Sequence, residues 1–548
     1  MEIQQLGTPL TLLLLLVFFG GTFLISLSIS KKEENADSYM TAGNNVGFGI
    51  SAASMTATWI WASSLYASAS SGYTYGVSGP IHYGLWGALM ILFIYPFGKR
   101  IRFLAPKAHT LAEILHARHG QSSQMILAGS NILGSLLSLT SNFIAGGALI
   151  SMLSPISFSA GILIIGSGVL LYTLWSGFRA SVLTDFIQVC AMLGAVIIIV
   201  PAVFFAAGGM DIFVTGAKNL TVEQRSFFSS DAFLNQGAPY IAAVLAYAIG
   251  NQTIAQRLFA VREDMIKRTF ITATVGYGAT VIGVGILGVI ALYLGVQPDG
   301  GDVNNLIPQL ASTYLGKGLL CIFFIMVIGS LASTADSDLA ALSSIVMTDL
   351  YGRSVSKTSK ANLRLMLFIG RITMVAATAL ALFFASNQFN ILDLLVLVGA
   401  IWGALVFPVI ASFYWDRVTN RAFTTAVIVA LLVFFPVRFG YIPLVGTTAI
   451  IADILATFGV GVVAGLMAFG FFGIRVALVV GAIASLVVAP FAIGSISQYI
   501  VLTASLLAYA VSTLLCVGIS WGNKSRFDFA TIAMKTGQFD NCADTNKI

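Results

Sequence analysis

Val275-Gly-Tyr-Gly-Ala-Thr-Val-Ile-Gly-Val-Gly-Ile-Leu-Gly-Val-Ile-Ala-Leu-Tyr-Leu294 runs for 20 residues without a charged side chain. A helix of that length rises about 30 Å, the thickness of a bilayer's hydrocarbon core. Val189 to Ala207 reads the same way. Strands of a closed barrel would show as short segments of alternating polarity, so these long unbroken runs are helices that satisfy their own backbone groups. Composition agrees: 57% hydrophobic residues, 9% charged residues and a mean hydropathy of +0.92 leave too little polar surface for a soluble globule. The chain is an all-α integral membrane protein.

Windows long enough to span the core predict about fifteen helices, one preceding a core of ten and four following it. The first lies at about 8–29, and the core helices at about 46–71, 80–104, 123–152, 157–176, 180–207, 238–260, 267–295, 315–348, 364–386 and 390–415. Four more lie near about 421–436, 447–471, 475–493 and 497–521. The basic loops fix orientation. Lys99, Arg100, Arg102, Lys107 and Arg118, then Arg179, then Arg262, Lys267 and Arg268, then Arg353, Lys357, Lys360 and Arg364, then Arg417 and Arg421, and finally Lys524 and Arg526 fall on one side if the first helix begins outside. This predicts a multi-pass protein of the plasma (cell inner) membrane, N-terminus outside and C-terminus cytoplasmic. The first apolar stretch lacks a basic leader and has Lys31 and Lys32 behind it, which reads as a membrane helix and not a signal peptide.

The net charge of +6 is spread over these short loops, so nucleic acid is not a partner. Cys190, Cys321, Cys516 and Cys542 are scattered and make neither a metal spacing nor a disulfide framework. No P-loop is visible, and His82, His109, His116 and His119 are not set beside a nucleophile, so the chain is not read as an enzyme.

Polar residues inside the apolar runs carry the chemistry. In Ile328-Gly-Ser-Leu-Ala-Ser-Thr-Ala-Asp-Ser-Asp-Leu-Ala-Ala-Leu-Ser-Ser344, Ser330, Ser333, Thr334 and Ser337 recur at helical spacing and form one stripe. Stripes of hydroxyl oxygens suit a hard cation, although Ser and Thr also line close helix contacts and bond back to their own carbonyls. Asp336 flanks the stripe, Asp338 lies further round, and Asp185 sits inside the fifth core helix at the depth of Ser333 to Ser337. Acids at such depth face an ion, a cavity or a basic partner, here Arg371 or Arg257.

The first core helix is rich in small residues and is expected to break near Ala57 to Ile60, freeing carbonyls for an ion. Trp59 and Trp61 point to different faces, so at most one is expected to line a small pocket. Asn251, Gln252, Gln256 and Arg257 form a polar cluster in the sixth core helix whose amides suit a neutral, hydrogen-bonding solute. Arg257 is read as a side chain that snorkels to the cytoplasmic interface.

Ser176-Gly-Phe-Arg-Ala-Ser-Val-Leu-Thr-Asp185-Phe-Ile-Gln188, and Ser333-Thr-Ala-Asp-Ser-Asp-Leu with the trailing Ser344 to Asp349-Leu-Tyr351, resemble the sodium:solute symporter family over about residues 10–415. The resemblance implies a five-plus-five inverted-repeat core of LeuT type, with one extra helix before it and about four after. It divides the chain into an N-terminal helix and loop (1–45), a first repeat (46–207), an outer loop (208–237), a second repeat (238–415), further helices (416–521) and a cytoplasmic tail (522–548). It also implies a main sodium site formed by the carbonyls of Ala57, Ile60 and Ser330 and the hydroxyls of Ser333 and Thr334. Some members hold a second cation near the helix-five acid, here Asp185 with Ser333 and Ser337. Asp336 stands where a small polar residue is common, so a proton is the alternative coupling ion.

Within the family, Trp59-Ile-Trp61-Ala-Ser-Ser64-Leu, Tyr75-Gly-Val-Ser-Gly-Pro80-Ile-His-Tyr83 and Ala105-Pro-Lys-Ala-His-Thr110 with Glu113 and Ala117-Arg118 are similar to the urea active transporter branch, though His82 replaces an aromatic. The expected activity is sodium-coupled symport of a small polar solute such as urea by alternating access. The expected pocket contains Trp59, Ser64, Tyr83 and Asn251, between core helices one, two, three, six and ten. Lipid and the solute are the expected partners, and nothing requires a protein partner. A sensor that keeps the fold, or a passive channel, is the rival reading.

Overall fold

The computed structural model describes residues 4–29, 36–355 and 363–537; Lys31, Lys32, Lys357, Lys360 and Cys542 lie outside the described residues. Helix α1 (Thr8–Ile29) precedes α2 (Phe48–Trp59), α3 (Ala62–Tyr75) and α4 (Ser78–Leu104). The short α5 (Leu111–His119) leads into α6 (Gln121–Leu153) and the long α7 (Phe158–Ala206). The second half contains α8 (Ala238–Gly250), α9 (Gln252–Ala260), α10 (Ile266–Leu294), α11 (Lys317–Ile345), α12 (Leu363–Ala385) and α13 (Ile391–Tyr414). Then follow α14 (Asn420–Arg438), α15 (Thr447–Ala492), α16 (Ile500–Trp521) and the short α17 (Ala530–Lys535).

Eleven described helices are long and apolar enough to cross a membrane, and twelve spans result when the bent pair around α8 and α9 counts as one. Within α13, Ile401–Tyr414 is a shorter apolar helix. The 46 residues of α15 are too long for one crossing, and Gly473 interrupts them with a φ of 79°. Likewise α7, 49 residues long, turns at Gly177 with a φ of 58°. Tyr39 packs on that glycine, and a Cβ there would lie 2.6 Å from the tyrosine ring, so both backbone and space demand glycine.

Each half of the bundle opens with a broken helix. In the first, the bulky Trp59-Ile60-Trp61 run ends the small-residue helix α2, and Ile60 (ψ 76°) and Trp61 (ψ 144°) leave the helical region before α3 begins. In the second, Asn251 (φ −103°, ψ 113°) separates α8 from α9 and caps the new helix by accepting from the Thr253 amide. Sequence reading anticipated the first break; the second replaces a continuous sixth helix, because an amide at that depth reads as a ligand when it serves as a cap.

Small residues then bring α3 and α10 together. A Cβ on Gly288 would sit 1.8 Å from the Ala69 carbonyl, and one on Gly72 would sit 2.5 Å from the Gly285 carbonyl. Close backbone approach of this kind is how membrane helices gain packing where lipid removes the hydrophobic drive. At one end of the bundle, Val46 pairs with the α9 terminus: its amide donates to Ala260 and its carbonyl accepts from Arg262. Cys190, Cys321 and Cys516 are unpaired, and Cys190 lies on the outer surface, so only Cys516 fits the reading of a buried apolar residue.

Candidate ion and solute site

The hydroxyl stripe of α11 faces the break between α2 and α3. Ser330 Oγ donates to the freed Ile60 carbonyl at 2.5 Å, and Thr334 Oγ1 donates to the Ser330 carbonyl at 3.2 Å. Ser333 Oγ donates to Asp185 Oδ1 at 2.5 Å, and Ser337 Oγ donates to the Ser333 carbonyl at 2.5 Å. Ala57 is fully buried in the last turn of α2. The arrangement therefore gathers neutral carbonyl and hydroxyl oxygens around an irregular segment of backbone, the donor set a hard monovalent cation accepts.

The acids lie one turn further along. Asp185, Asp336 and Asp338 are each 0% exposed. Arg257 is also buried, and its Nη2 donates to Asp185 Oδ2 at 2.9 Å. The snorkelling reading of Arg257 is thereby corrected: α9 turns the side chain inward, where the basic partner expected for Asp185 sits. Ser54 Oγ also donates to Asp185, at 2.6 Å. Asp336 is held by hydroxyls, Ser181 Oγ at 2.6 Å, Tyr172 Oη at 2.9 Å and its neighbour Ser337 Oγ at 3.2 Å. Asp338 turns to the α6 seam, where Ser138 Oγ donates at 2.5 Å, and takes no part in the cluster around Asp185.

Beside the first break lies a cavity of about 20 Å³, room for about one water. Trp59, Trp61, Ser64, Tyr83, Tyr240 and Tyr247 are among its lining residues. Of the residues expected in a solute pocket, Trp59, Ser64 and Tyr83 line this cavity. Asn251 does not: its side-chain oxygen is spent on the Thr253 amide (2.9 Å) and hydroxyl (2.6 Å). Both tryptophans line the cavity, against the expectation of one, because the helix breaks between them. Tyr277 of α10 contributes in place of any residue of α6, so the seventh core helix takes the role expected of the third. Trp59 Nε1 is buried there without a hydrogen-bond partner among the described residues. Sequence reading missed Tyr240, Tyr247 and Tyr277; the seven-residue spacing of the first two, one face of a helix, was a usable signal.

Two halves that each open with a helix broken at the level of a buried polar site define a secondary transporter of the inverted-repeat class. The match to the sodium:solute symporter family model over residues 39–429 places the chain in that family. It is 26% identical over 439 residues to the sodium/pantothenate symporter of Escherichia coli (strain K12), covering 78% of this chain and 89% of that one. It is 23% identical over 468 residues to probable urea active transporter 1 of Schizosaccharomyces pombe, covering 78% and 69%. Among solved structures, the substrate-bound outward-open state of a Na+-coupled sialic acid symporter superposes with a TM-score of 0.68 at 19% identity, over 88% of this chain and 98% of that one. The all-α, five-plus-five architecture and the family agree with the sequence reading.

Proposed function

We propose that this protein couples sodium entry to the uptake of a small, uncharged, polar solute by alternating access. The observation that supports this best is the contact of the Ser330 hydroxyl with the Ile60 carbonyl, 2.5 Å, which brings the α11 stripe to the broken helix. A sodium ion among the Ala57, Ile60 and Ser330 carbonyls and the Ser333 and Thr334 hydroxyls ties α11 to that helix, and its occupancy favours one arrangement of the bundle over the other. The cavity lining contains tryptophan, tyrosine, serine and apolar side chains and no charged one, which suits a neutral solute. The Trp59 Nε1, unpartnered among the described residues, supplies a hydrogen bond to it. Urea fits that chemistry and is the first candidate. Residues 46–207 and 238–415 are read as the two repeats.

Orientation with the N-terminus outside and the C-terminus cytoplasmic, in the plasma (cell inner) membrane, is supported by the clustering of basic residues at one end. There Arg102 reaches the Asn44 carbonyl, Arg118 the carbonyls of Ser412 and Val418, and Arg526 the Asp416 carboxylate. A proton as coupling ion is the second reading, favoured by Asp336, whose hydrogen-bond partners among the described residues are hydroxyls.

The test is uptake of labelled urea into proteoliposomes under an inward sodium gradient and then under an inward proton gradient alone. Sodium-driven accumulation supports the full reading, proton-driven accumulation moves the coupling to Asp336, and no urea uptake under either removes urea. Ser333→Ala or Thr334→Ala is expected to weaken sodium dependence more than solute recognition at saturating sodium; equal, sodium-independent losses count against the site.

A further inference from the structure

Arg257 is a cation that the chain itself carries into the site. Its Nη2 donates to Asp185 Oδ2 at 2.9 Å and to Ser337 Oγ at 2.6 Å. Its Nε donates to Ser54 Oγ at 3.1 Å and its Nη1 to the Thr253 carbonyl at 3.2 Å. The guanidinium carbon lies 5.2 Å from the centre of the Phe178 ring, and the side chain is 2% exposed. Such an arrangement satisfies donors on both edges of the guanidinium and supplies one carboxylate for its charge, which is what burial of a cation requires.

In some members of the family a second cation sits beside the helix-five acid, a position that corresponds here to Asp185 with Ser333 and Ser337. Those groups do not fit a sodium ion here. Asp185 and Ser337 are both engaged by one guanidinium nitrogen, and Ser333 donates to the other oxygen of Asp185. A sodium ion between Asp185 and Ser337 would compete with that nitrogen for the same two oxygens, and like charges so close in a desolvated pocket repel strongly. Arg257 also reaches Ser54 on α2, Asp185 on α7 and Ser337 on α11 while rooted in α9. One fixed charge thus joins the broken helices of both halves, a linkage that a mobile ion would make only while bound.

Building on the sodium-coupled reading above, we propose that the Arg257 guanidinium is a resident cation that fills the second cation position, so that this protein binds one sodium ion per chain. The single ion occupies the position formed by Ala57, Ile60, Ser330, Ser333 and Thr334. With a neutral solute, one positive charge then crosses per cycle.

The experiment is equilibrium binding of radiolabelled sodium alone to the purified full chain in detergent, with the count and the shape of the isotherm as readouts. Wild type is expected to bind one ion with a hyperbolic isotherm. Arg257→Gln, which frees Asp185 and Ser337, is expected to bind a second. Ser337→Ala, a mild change, is expected to keep one ion with a half-saturation concentration moved less than about threefold, under 1 kcal/mol. Two ions bound by wild type overturn the inference while the sodium reading stands. One ion in both wild type and a folded Arg257→Gln does the same. Should Arg257→Gln not fold, Ser337→Ala decides: loss of an ion, or weakening by more than about tenfold, overturns the inference. No sodium bound by wild type but one gained by Arg257→Gln overturns the main-site reading and upholds the resident cation; none in either overturns both.

Discussion

Breaking the Asp185–Arg257 pair from one side and then from the other is expected to give unequal losses. Both side chains are buried and 2.9 Å apart, and removing one partner of such a pair leaves an uncompensated charge worth about 3–5 kcal/mol. Asp336 makes the two cases different. It lies close enough to sense both Asp185 and Arg257, so Asp185→Asn leaves one acid facing the guanidinium, whereas Arg257→Gln leaves two acids facing each other. Asp185→Asn therefore belongs at about 3 kcal/mol and Arg257→Gln at about 5 kcal/mol. The double variant Asp185→Asn/Arg257→Gln removes both charges and loses mainly hydrogen bonds, about 1–2 kcal/mol. The cycle should thus be non-additive by several kcal/mol. Thermal unfolding of the detergent-solubilised protein, followed by tryptophan fluorescence, measures it with and without sodium. Sodium is expected to restore Arg257→Gln in particular, since a bound ion replaces the missing charge and stabilises by mass action. Equal single losses that simply add in the double variant would refute the charge argument.

Gly288→Ala is expected to lower the unfolding temperature sharply and abolish transport, because its new Cβ meets the Ala69 backbone oxygen at 1.8 Å and overpacking of a rigid contact costs about 1–3 kcal/mol or more; Gly20→Ala, with nothing within 4 Å, is the neutral control in the same melt. Tyr172→Phe removes the donor to Asp336 Oδ2 (2.9 Å) and to the Ala332 carbonyl (3.0 Å), a loss of about 1–3 kcal/mol measurable by the same unfolding assay. His119, at the end of α5 and outside the spans, bonds Ser412 Oγ at 2.7 Å, and burial together with the adjacent Arg118 pushes its pKa down to about 3. The unfolded chain therefore binds the proton first, so the stabilisation is present above about 6.5 and is lost as pH falls from there toward 3; His119→Gln should flatten that acid limb of a stability-against-pH curve.

The legible parts of the sequence were those decided by local physics. Apolar run length placed the spans, and the hydroxyl spacing from Ser330 to Ser337 placed the stripe, since both depend only on helical rise and period. The break after Trp59 was legible because small residues followed by a bulky Trp-Ile-Trp run weaken a helix at a definite place. What was not legible depended on which face of one helix meets which face of another. Asp185 and Arg257 are 72 positions apart in sequence, and only the crossing of α7 and α9 decides that the arginine turns inward and does not reach for the interface. Asn251 poses the same difficulty on a smaller scale: one side-chain amide serves equally as a solute ligand or a helix cap, and the choice follows from whether α8 continues.

That crossing also explains why two turns of α11 carry so many polar residues. The first half of that stretch, Ser330, serves the broken helix, and the second half, Asp336 and Ser337, serves Ser181, Tyr172 and Arg257. Ser333 belongs to both: its hydroxyl donates to Asp185 and is also a ligand of the proposed sodium ion. A cation arriving at the main position draws on the Ser333 lone pairs while the O–H stays on Asp185, which strengthens that hydrogen bond by polarisation. Sodium binding and the tightness of the Asp185–Arg257 pair are therefore linked through one hydroxyl, and the linkage is reciprocal. Ser333→Ala should weaken it, so that sodium raises the unfolding temperature of the variant by less than that of Ser330→Ala, which touches only the break and keeps the link to Asp185. An equal response of the two variants to saturating sodium would place the coupling elsewhere.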